Sequence, residues 1–419
     1  MGLVTGACLA TLGHTVICVD KDTEKINALS GGQVTIYEAE LESLTKEHLD
    51  TGQIRFTTDI DAAVGESEYV FITVDTPSDS SGNADLTNVD GASREVARAI
   101  NSYKVIINKS TVPIGSTKRV QRIIEESMEE YHEFDVVSNP EFLREGTAVA
   151  DFMRPARIVI GSDSQKAIML MVELYRGIDA PLLITDPVSA EMIKYASNAF
   201  LATKVSYINA IANICEAVGA DVREVSLGMG YDERIGFEFL KAGPGFGGSC
   251  FPKDCRALLA ISRQHGYDFN LLEGVLQVNQ EQQERMLDKI DERVGGLEGK
   301  KVGVLGLAFK ANTDDIRDSP AVTITRMLVD KGARVTAYDP QAMESASAEL
   351  PGVAFAGDPY EVAREAEVLV LLTEWDEFKW LDYERVKDEM RCPLVVDTRN
   401  CLDPVVLRKI GFTYEGVGR

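Results

Sequence analysis

Met1-Gly2-Leu3-Val4-Thr5-Gly6-Ala7-Cys8-Leu9-Ala10-Thr11-Leu12-Gly13-His14-Thr15-Val16-Ile17-Cys18-Val19-Asp20 reads as a helix closed by Gly13, then an apolar strand, Thr15 to Val19, ending on Asp20. A helix feeding a strand with a terminal carboxylate is half of a nucleotide-binding unit. Such units place a glycine turn between a strand and a helix, so that backbone N–H groups and the helix N-terminus meet a pyrophosphate. The acidic residue ending the next strand accepts the ribose hydroxyls. Asp20 stands at that position, where a carboxylate repels an extra ribose phosphate and favours NAD over NADP. The other reading of Asp20 is a plain turn residue. Gly2 fits the last glycine of a G-x-G-x-x-G turn, whose preceding strand and two glycines would lie ahead of Met1.

Working outward, short apolar runs recur at Tyr69 to Val74, Lys104 to Asn108, Asp135 to Val137 and Arg157 to Ile160. Helix-compatible stretches separate them, the alternation of a parallel sheet covered on both faces. From Pro187 the pattern changes. Met192, Ile193, Ala196, Phe200, Ala202, Val205, Ile208, Ile211 and Ile214 recur at helical spacing within Ser189 to Ala217, without internal Pro or Gly. One long helix is expected there, and a second over Asn270 to Val294. After Gly295-Gly296 the βα rhythm restarts, with strands at Lys301 to Leu305, Arg334 to Tyr338, Val368 to Leu372 and Pro393 to Val396, and a helix at Ala321 to Lys331. The expected fold is α/β, with two Rossmann-like doubly wound domains joined by a central helical region containing a long helix. The expected bounds are 1–186 for the dinucleotide domain, 187–295 for the helical, dimer-forming region and 296–419 for the second α/β domain.

Composition narrows the partners. The chain has 419 residues, 45% of them hydrophobic and 26% charged, enough to bury a large core in two or three domains. With 43 basic against 67 acidic side chains the net charge is -24, which repels phosphodiester backbones and anionic membranes and argues against nucleic-acid or membrane partners. Seven cysteines at 8, 18, 215, 250, 255, 392 and 401 contain no C-x-x-C pair, so neither a disulfide frame nor a metal site is implied. No apolar run spans a bilayer and no signal peptide opens the chain, so a reducing, cytoplasmic setting is expected.

Several groups carry candidate chemistry. In Ala242-Gly-Pro-Gly-Phe-Gly-Gly-Ser-Cys250-Phe-Pro-Lys253-Asp254, a flexible glycine loop delivers a thiol to the start of a helix marked by Pro252. The positive helix end and Lys253 would there favour the thiolate, making Cys250 a nucleophile candidate rather than a small buried cysteine. Cys255 keeps the structural reading. Asn139-Pro140-Glu141-Phe-Leu-Arg-Glu145 reads as an N-cap, a first-turn proline and two carboxylates on one helix face. Those acids either complement the helix dipole or act in catalysis. Lys194 and Asn198 share a face of the long helix, where a cation and an amide donor could stabilise an oxyanion. Ser110-Thr111-Val112-Pro113 closes a strand at the carboxyl edge of the first sheet; a hydroxyl there holds a water or caps the next helix.

Taken together, Asp20, Ser110 to Pro113, Asn139 to Gly146, Lys194 to Asn198, Gly243 to Asp254 and Gly306-Leu-Ala-Phe-Lys310 closely resemble the UDP-glucose 6-dehydrogenase family, within the UDP-glucose/GDP-mannose dehydrogenases. The resemblance covers essentially the whole chain, and Gly-Gly-Ser-Cys-Phe-Pro-Lys-Asp is its most specific element. It implies oxidation of a UDP-sugar alcohol to a carboxylate with NAD as cofactor, through a thiohemiacetal and then a thioester on Cys250. By the same resemblance Lys194 and Asn198 stabilise oxyanions, Thr111 and Asp254 hold the catalytic water, and Glu145 and Glu141 serve the hydride and hydrolysis steps. Implied cofactor contacts are Asp20, Lys25, Thr76, Thr111, Glu145, Lys253 and Arg317. Implied UDP-sugar contacts are Glu141, Phe142, Leu143, Lys194, Asn198, Phe239, Lys241, Gly247, Phe309, Lys310 and Arg399, with Arg234 reaching the substrate of a neighbouring subunit. A homodimer or higher homo-oligomer built on the long helix is implied too. The chain departs from the family pattern in lacking roughly ten leading residues, among them a central strand and two glycines, which implies a start upstream of Met1. Two alternatives stand beside UDP-glucose oxidation: a dehydrogenase of GDP-mannose or a UDP-N-acetylhexosamine, and a redox-inactive nucleotide-sugar binding protein.

Overall fold

The computed structural model describes residues 1–77, 79 and 82–419. The chain divides into two compact units: Met1–Ser197 with Arg256–Gly266, and Asn198–Cys255 with Tyr267–Arg419.

In the first unit the Gly2–Thr11 helix leads into β1 (Val16–Val19), which pairs in parallel with β2 (Ile54–Thr57). A separate five-stranded sheet runs in the order β3 (Tyr69–Ile72), β4 (Lys104–Asn108), β5 (Phe134–Ser138), β6 (Ile158–Gly161) and β7 (Leu182–Thr185). The apolar runs read as strands are strands, and β4 shows why they are continuous rather than alternating. Val105 and Ile107 pack with Val4, Ala7, Cys8 and Leu9 of the first helix, while Ile106 on the opposite face packs with Val96, Val120 and Ile124. A strand apolar on both faces is stable only between two helical layers. Gly6 lets the first helix lie on β1: a Cβ there would stand 2.7 Å from Cys18 Sγ and 3.3 Å from Val16 Cγ1.

Two expectations fail here. The sheet is not wholly parallel, because β5 meets β6 in an antiparallel sense through the single pair Ser138↔Gly161. The Asn139 side chain bridges the two strands instead, its Nδ2 donating to Val159 O at 2.8 Å. Nor do Asn139 to Glu145 form a helix; the next one is Ala148–Met153. Asn139 is spent on that bridge rather than on capping, and the Glu141 carbonyl, which a helix would offer to residue 145, accepts Lys194 Nζ at 2.7 Å.

The long helix spans Pro187–Val218, 32 residues, and Asn270–Val294 is helical as expected. In the second unit six parallel strands, β8 (Lys301–Leu305), β9 (Arg334–Tyr338), β10 (Ala354–Phe355), β11 (Val368–Leu371), β12 (Leu394–Asp397) and β13 (Thr413–Glu415), lie in the order β10-β9-β8-β11-β12-β13. That is the doubly wound 3-2-1-4-5-6 order, with its switch point between β8 and β11. The turn after β8 is filled from within the chain. Asp339, buried at the end of β9, accepts Leu307 N at 2.7 Å, Ala308 N at 3.0 Å and Trp375 Nε1 at 3.1 Å. Thr373 Oγ1 donates to Ala308 O at 2.6 Å, and Ser319 Oγ to Leu307 O at 2.7 Å.

Candidate active site

Each unit carries its own cluster of candidate residues. In the first unit they gather where β1, β3, β4 and β5 end. Asp20, just past β1, accepts Asp22 N at 3.1 Å and pairs with Lys25 Nζ at 2.5 Å. Partial burial pushes its carboxyl up, but the Lys25 hydrogen bond, the Asp22 N–H and two nearby lysines outweigh it and hold the group below the ordinary range. The first helix starts at Gly2, and a Cβ there would meet Thr73 Oγ1 at 2.5 Å, just past β3. A helix N-terminus that starts on a glycine and leads into a strand ending on a carboxylate fits a dinucleotide; Asp20 with Lys25 would hold its ribose. Ser110 does not cap the next helix: its hydroxyl donates to Ile72 O at 3.3 Å and Val74 O at 2.7 Å. Thr76 Oγ1 donates to Thr111 O at 2.7 Å, tying the loops after β3 and β4 together. The Thr111 hydroxyl has no hydrogen-bond partner among the described residues, which leaves it free for a water.

Glu141 lies in a buried ion pair with Lys194, Oε1 to Nζ 2.8 Å, the two side chains 6% and 5% exposed. Its Oε2 accepts Leu143 N at 2.7 Å. Burial alone would push this carboxyl up, but the Lys194 ammonium, the Leu143 N–H and the charge of Lys109 outweigh it, so Glu141 stays ionised. Phe142 stacks under the Arg157 guanidinium, 3.5 Å from the ring centroid, and lies 5.5 Å from Lys194 Nζ. Glu145 and Leu143 are half-buried beside it in the chain. Two acids that the sequence did not single out fix this region. Glu38 accepts Gly146 N at 2.8 Å and Ala148 N at 2.9 Å, capping the Ala148–Met153 helix just after Glu145. Glu191 accepts Thr117 N at 2.8 Å and Thr117 Oγ1 at 2.7 Å and so caps the Ser116–Ser127 helix. Neither has a local signature, since each caps a helix far away in sequence.

In the second unit, Cys250 immediately precedes the Phe251–Gln264 helix, and its carbonyl accepts the first helical bond, from Asp254 N at 2.8 Å. The thiol therefore sits at the positive end of a helix, 3.4 Å from Ser249 Oγ. Asp254 is wholly buried, receiving Asn198 Nδ2 at 2.6 Å and Lys253 Nζ at 2.7 Å. Cys250, Asn198, Lys253 and Asp254 are thus one cluster, and Cys255 is a buried core thiol as expected.

The glycine loop is not flexible. Residues 242–248 are all buried, and amide side chains pin the backbone. Gly243 N donates to Asn209 Oδ1 at 2.9 Å and Gln282 Nε2 to Gly243 O at 2.9 Å, while Asn279 bonds Phe246 N at 2.7 Å and Phe246 O at 3.0 Å. The glycines serve close approach: a Cβ on Gly247 would stand 2.2 Å from Asp318 O, and one on Gly248 2.8 Å from the Phe309 ring. Asn279 and Gln282 had a legible signal, amides at positions where Leu272, Val275 and Met286 set the buried stripe of a helix.

The remaining candidates divide. Arg399 donates to Phe309 O at 2.8 Å and Leu372 O at 2.7 Å, so it braces the Phe309-Lys310 segment, and Lys310 Nζ lies 5.6 Å from the Phe309 ring. Phe239 takes φ +63° and packs on Phe251, centroids 5.9 Å apart. Arg317 is bidentate to Asp315, and its carbonyl accepts Gly248 N at 2.9 Å. Arg234, bidentate to Asp232, and Lys241 are exposed and make no hydrogen bond or ion pair with the thiol cluster among the described residues.

A dinucleotide-type unit, a second doubly wound unit and a pinned cysteine at a helix head define an NAD-dependent oxidoreductase. The chain belongs to the UDP-glucose/GDP-mannose dehydrogenase family: models of its NAD binding domain, central domain and UDP binding domain match residues 1–179, 188–281 and 303–404. It is 48% identical to a UDP-glucose 6-dehydrogenase of Rhizobium meliloti (strain 1021), covering 100% of this chain and 97% of that protein. It is 46% identical to UDP-glucose 6-dehydrogenase TuaD of Bacillus subtilis (strain 168), covering 100% of this chain and 91% of that one. Among solved structures, a UDP-glucose dehydrogenase from the hyperthermophilic archaeon Pyrobaculum islandicum superposes with a TM-score of 0.93 at 39% identity, covering 100% of this chain and 95% of that one.

Proposed function

We propose that this chain oxidises UDP-glucose to UDP-glucuronate in two NAD-dependent steps, with the sugar held on Cys250 between them. The observation that carries the reading is the thiol at the head of the Phe251–Gln264 helix, on a loop pinned by buried amides and beside the Asn198–Asp254 pair. A two-electron alcohol oxidation has no use for such a thiol. The matches to an NAD binding and a UDP binding domain and the UDP-glucose 6-dehydrogenases among its relatives support the rest.

NAD, when bound, accepts the hydride in each oxidation. The protein's own part is acid–base and covalent. Glu145 takes the proton of the C6 hydroxyl as the alcohol becomes an aldehyde. The Cys250 thiolate then adds to the aldehyde carbon, forming the C–S bond of a thiohemiacetal, and the second oxidation leaves a thioester. Lys194 and Asn198 donate to the oxygen that gains negative charge in these steps. A water held by Thr111 and Asp254 attacks the thioester with Glu141 as base; the C–S bond breaks, and the carboxylate and free thiol are released. Substrate contacts are proposed for Phe142, Leu143, Phe239, Lys241, Gly247, Phe309, Lys310 and Arg399. Cofactor contacts are proposed for Asp20, Lys25, Thr76, Lys253 and Arg317. The functional division is 1–186, 187–295 and 296–419. A cytoplasmic setting suits a reaction that needs a reduced thiol.

The chain is also proposed to form a homodimer along the long helix, with Arg234 serving the partner's substrate. Phe200, Tyr207 and Ile214 recur every seven residues on that helix and are 65%, 51% and 57% exposed, an apolar seam of the kind a second copy covers. The test of the activity is the NADH formed per UDP-glucose consumed, followed by absorbance. Two is expected; one, or no consumption of UDP-glucose while another nucleotide sugar gives two, overturns the mechanism or the substrate respectively.

A further inference from the structure

We infer that Lys109 is a positioning residue for Glu141: through Asn139 it braces the Asn139-Pro140-Glu141 segment, and it supplies a second positive charge facing the Glu141 carboxylate. The inference rests on Glu141 acting as a base in the reaction.

Lys109 directly follows β4 and is 5% exposed. Its Nζ donates to Asn139 Oδ1 at 3.1 Å and to the Tyr175 hydroxyl at 3.4 Å, and lies 5.8 and 5.9 Å from the Phe152 and Tyr175 ring centroids. No carboxylate accepts from it among the described residues. A buried ammonium bonded only to an amide and a phenol is costly, and an apolar side chain would fill the same space with less penalty. The groups facing it electrostatically are Glu141, which attracts, and Lys194, which repels; burial pushes Lys109 down to about 8. Lys194 bonds Glu141 directly, so the same carboxylate answers two cations from two different elements.

Asn139 connects the lysine to the carboxylate's backbone. Its Oδ1 accepts Lys109 Nζ and, at 2.5 Å, the Tyr175 hydroxyl, which burial keeps protonated as a donor. Its Nδ2 donates to Val159 O at 2.8 Å and its N to Asn108 O at 3.0 Å. Every polar atom of that side chain is used two residues before Glu141, in the segment that would otherwise coil into a helix. Removing the Lys109 charge should raise the Glu141 pKa and widen the acid range in which the base is protonated.

The experiment is the pH profile of kcat for UDP-glucuronate formation in the full-length enzyme and four variants: Glu141→Gln, Lys109→Gln, Lys109→Met and Lys109→Arg. Lys109→Gln keeps a donor to Asn139 without the charge and carries the test if Lys109→Met does not fold. The acid limb is expected to vanish in Glu141→Gln, to move up by about one pH unit in Lys109→Gln and Lys109→Met, and to stay put in Lys109→Arg. Melting temperature alone would not separate a brace from a charge; the limb does. An unmoved limb in Lys109→Gln, with the limb abolished in Glu141→Gln, overturns the inference about Lys109. A wild-type limb in Glu141→Gln instead overturns the role given to Glu141, and this inference with it.

Discussion

Gly248→Ala should disable the thiol without touching it. Gly248 has φ +84°, and an added Cβ would lie 2.8, 2.8 and 3.0 Å from three carbons of the Phe309 ring. Relative to an ordinary contact of 3.4 Å, ring or loop must give by about 0.6 Å. The left-handed backbone costs a non-glycine residue about 1 kcal/mol, and forced overpacking adds about 1–3 kcal/mol. The variant should therefore lose about 3 kcal/mol in urea unfolding. Gly295→Ala isolates the first contribution, because Gly295 has φ +69° with nothing within 4 Å of the added Cβ; it should lose about 1 kcal/mol. Arg399 holds the Phe309 carbonyl and the loop is pinned at Gly243 and Phe246, so the strain falls on the Gly248 end of the loop, and Cys250 lies two residues on. A displacement of this size should lower kcat about tenfold to a hundredfold and change the rate of Cys250 alkylation. In a Phe309→Ala background, Gly248→Ala should cost no more than Gly295→Ala. Equal stability losses for Gly248→Ala and Gly295→Ala, with wild-type alkylation, would refute the reasoning.

Asp254→Ala leaves the Asn198 amide and the Lys253 ammonium without their acceptor and should cost about 2–4 kcal/mol by denaturant unfolding, with near-complete loss of acid formation. Asp90 accepts Arg119 Nε at 2.8 Å and Nη2 at 2.7 Å, which holds its carboxyl below the ordinary Asp value. The unfolded chain then binds the proton more readily, so the stability this pair contributes is present above the ordinary Asp range and is lost as pH falls through the depressed folded value. Asp90→Asn should flatten the acid side of the stability profile measured by thermal unfolding. If the proposed dimer forms along the long helix, Phe200→Glu with Tyr207→Glu should shift the elution and scattering mass to that of a monomer at micromolar protein, while leaving the far-ultraviolet circular dichroism unchanged.

Nine of the thirteen strands among the described residues and the two long helices were legible because their signals are local, while β2, β7, β10 and β13 were not. Apolar runs such as Val105 to Ile107, and the buried stripe of Leu272, Val275 and Met286, record in a few residues which faces are covered. The thiol cluster was legible for the same reason, Cys250 to Asp254 being one turn of chain. The Asn139 to Glu145 segment was not, since Asn-Pro-Glu carries an N-terminal helix signature, and what overrides it comes from Lys109, Val159, Tyr175 and Lys194. The loop's rigidity was hidden likewise: glycines suggest freedom until Asn209, Asn279 and Gln282 are seen holding their backbone. Caps supplied by Glu38 and Glu191 belong to the same class, long-range acceptors with no neighbouring pattern.

Asp339 sets a limit on bookkeeping at the level of turnover. In the β8–β13 sheet the backbone donors after the first strand already answer a carboxylate of the chain itself, with Trp375 donating to the same oxygen. A visiting pyrophosphate would have to displace that carboxylate to reach the same N–H groups. On the proposed function, with NAD held only on the unit that contains Gly2, the four-electron oxidation would run as a relay on a single seat: the spent carrier has to leave and a fresh one arrive while the half-oxidised sugar waits. The proposed sulfur bond would then be a timer as well as a chemical step, with a lifetime that has to exceed the residence time of the first carrier.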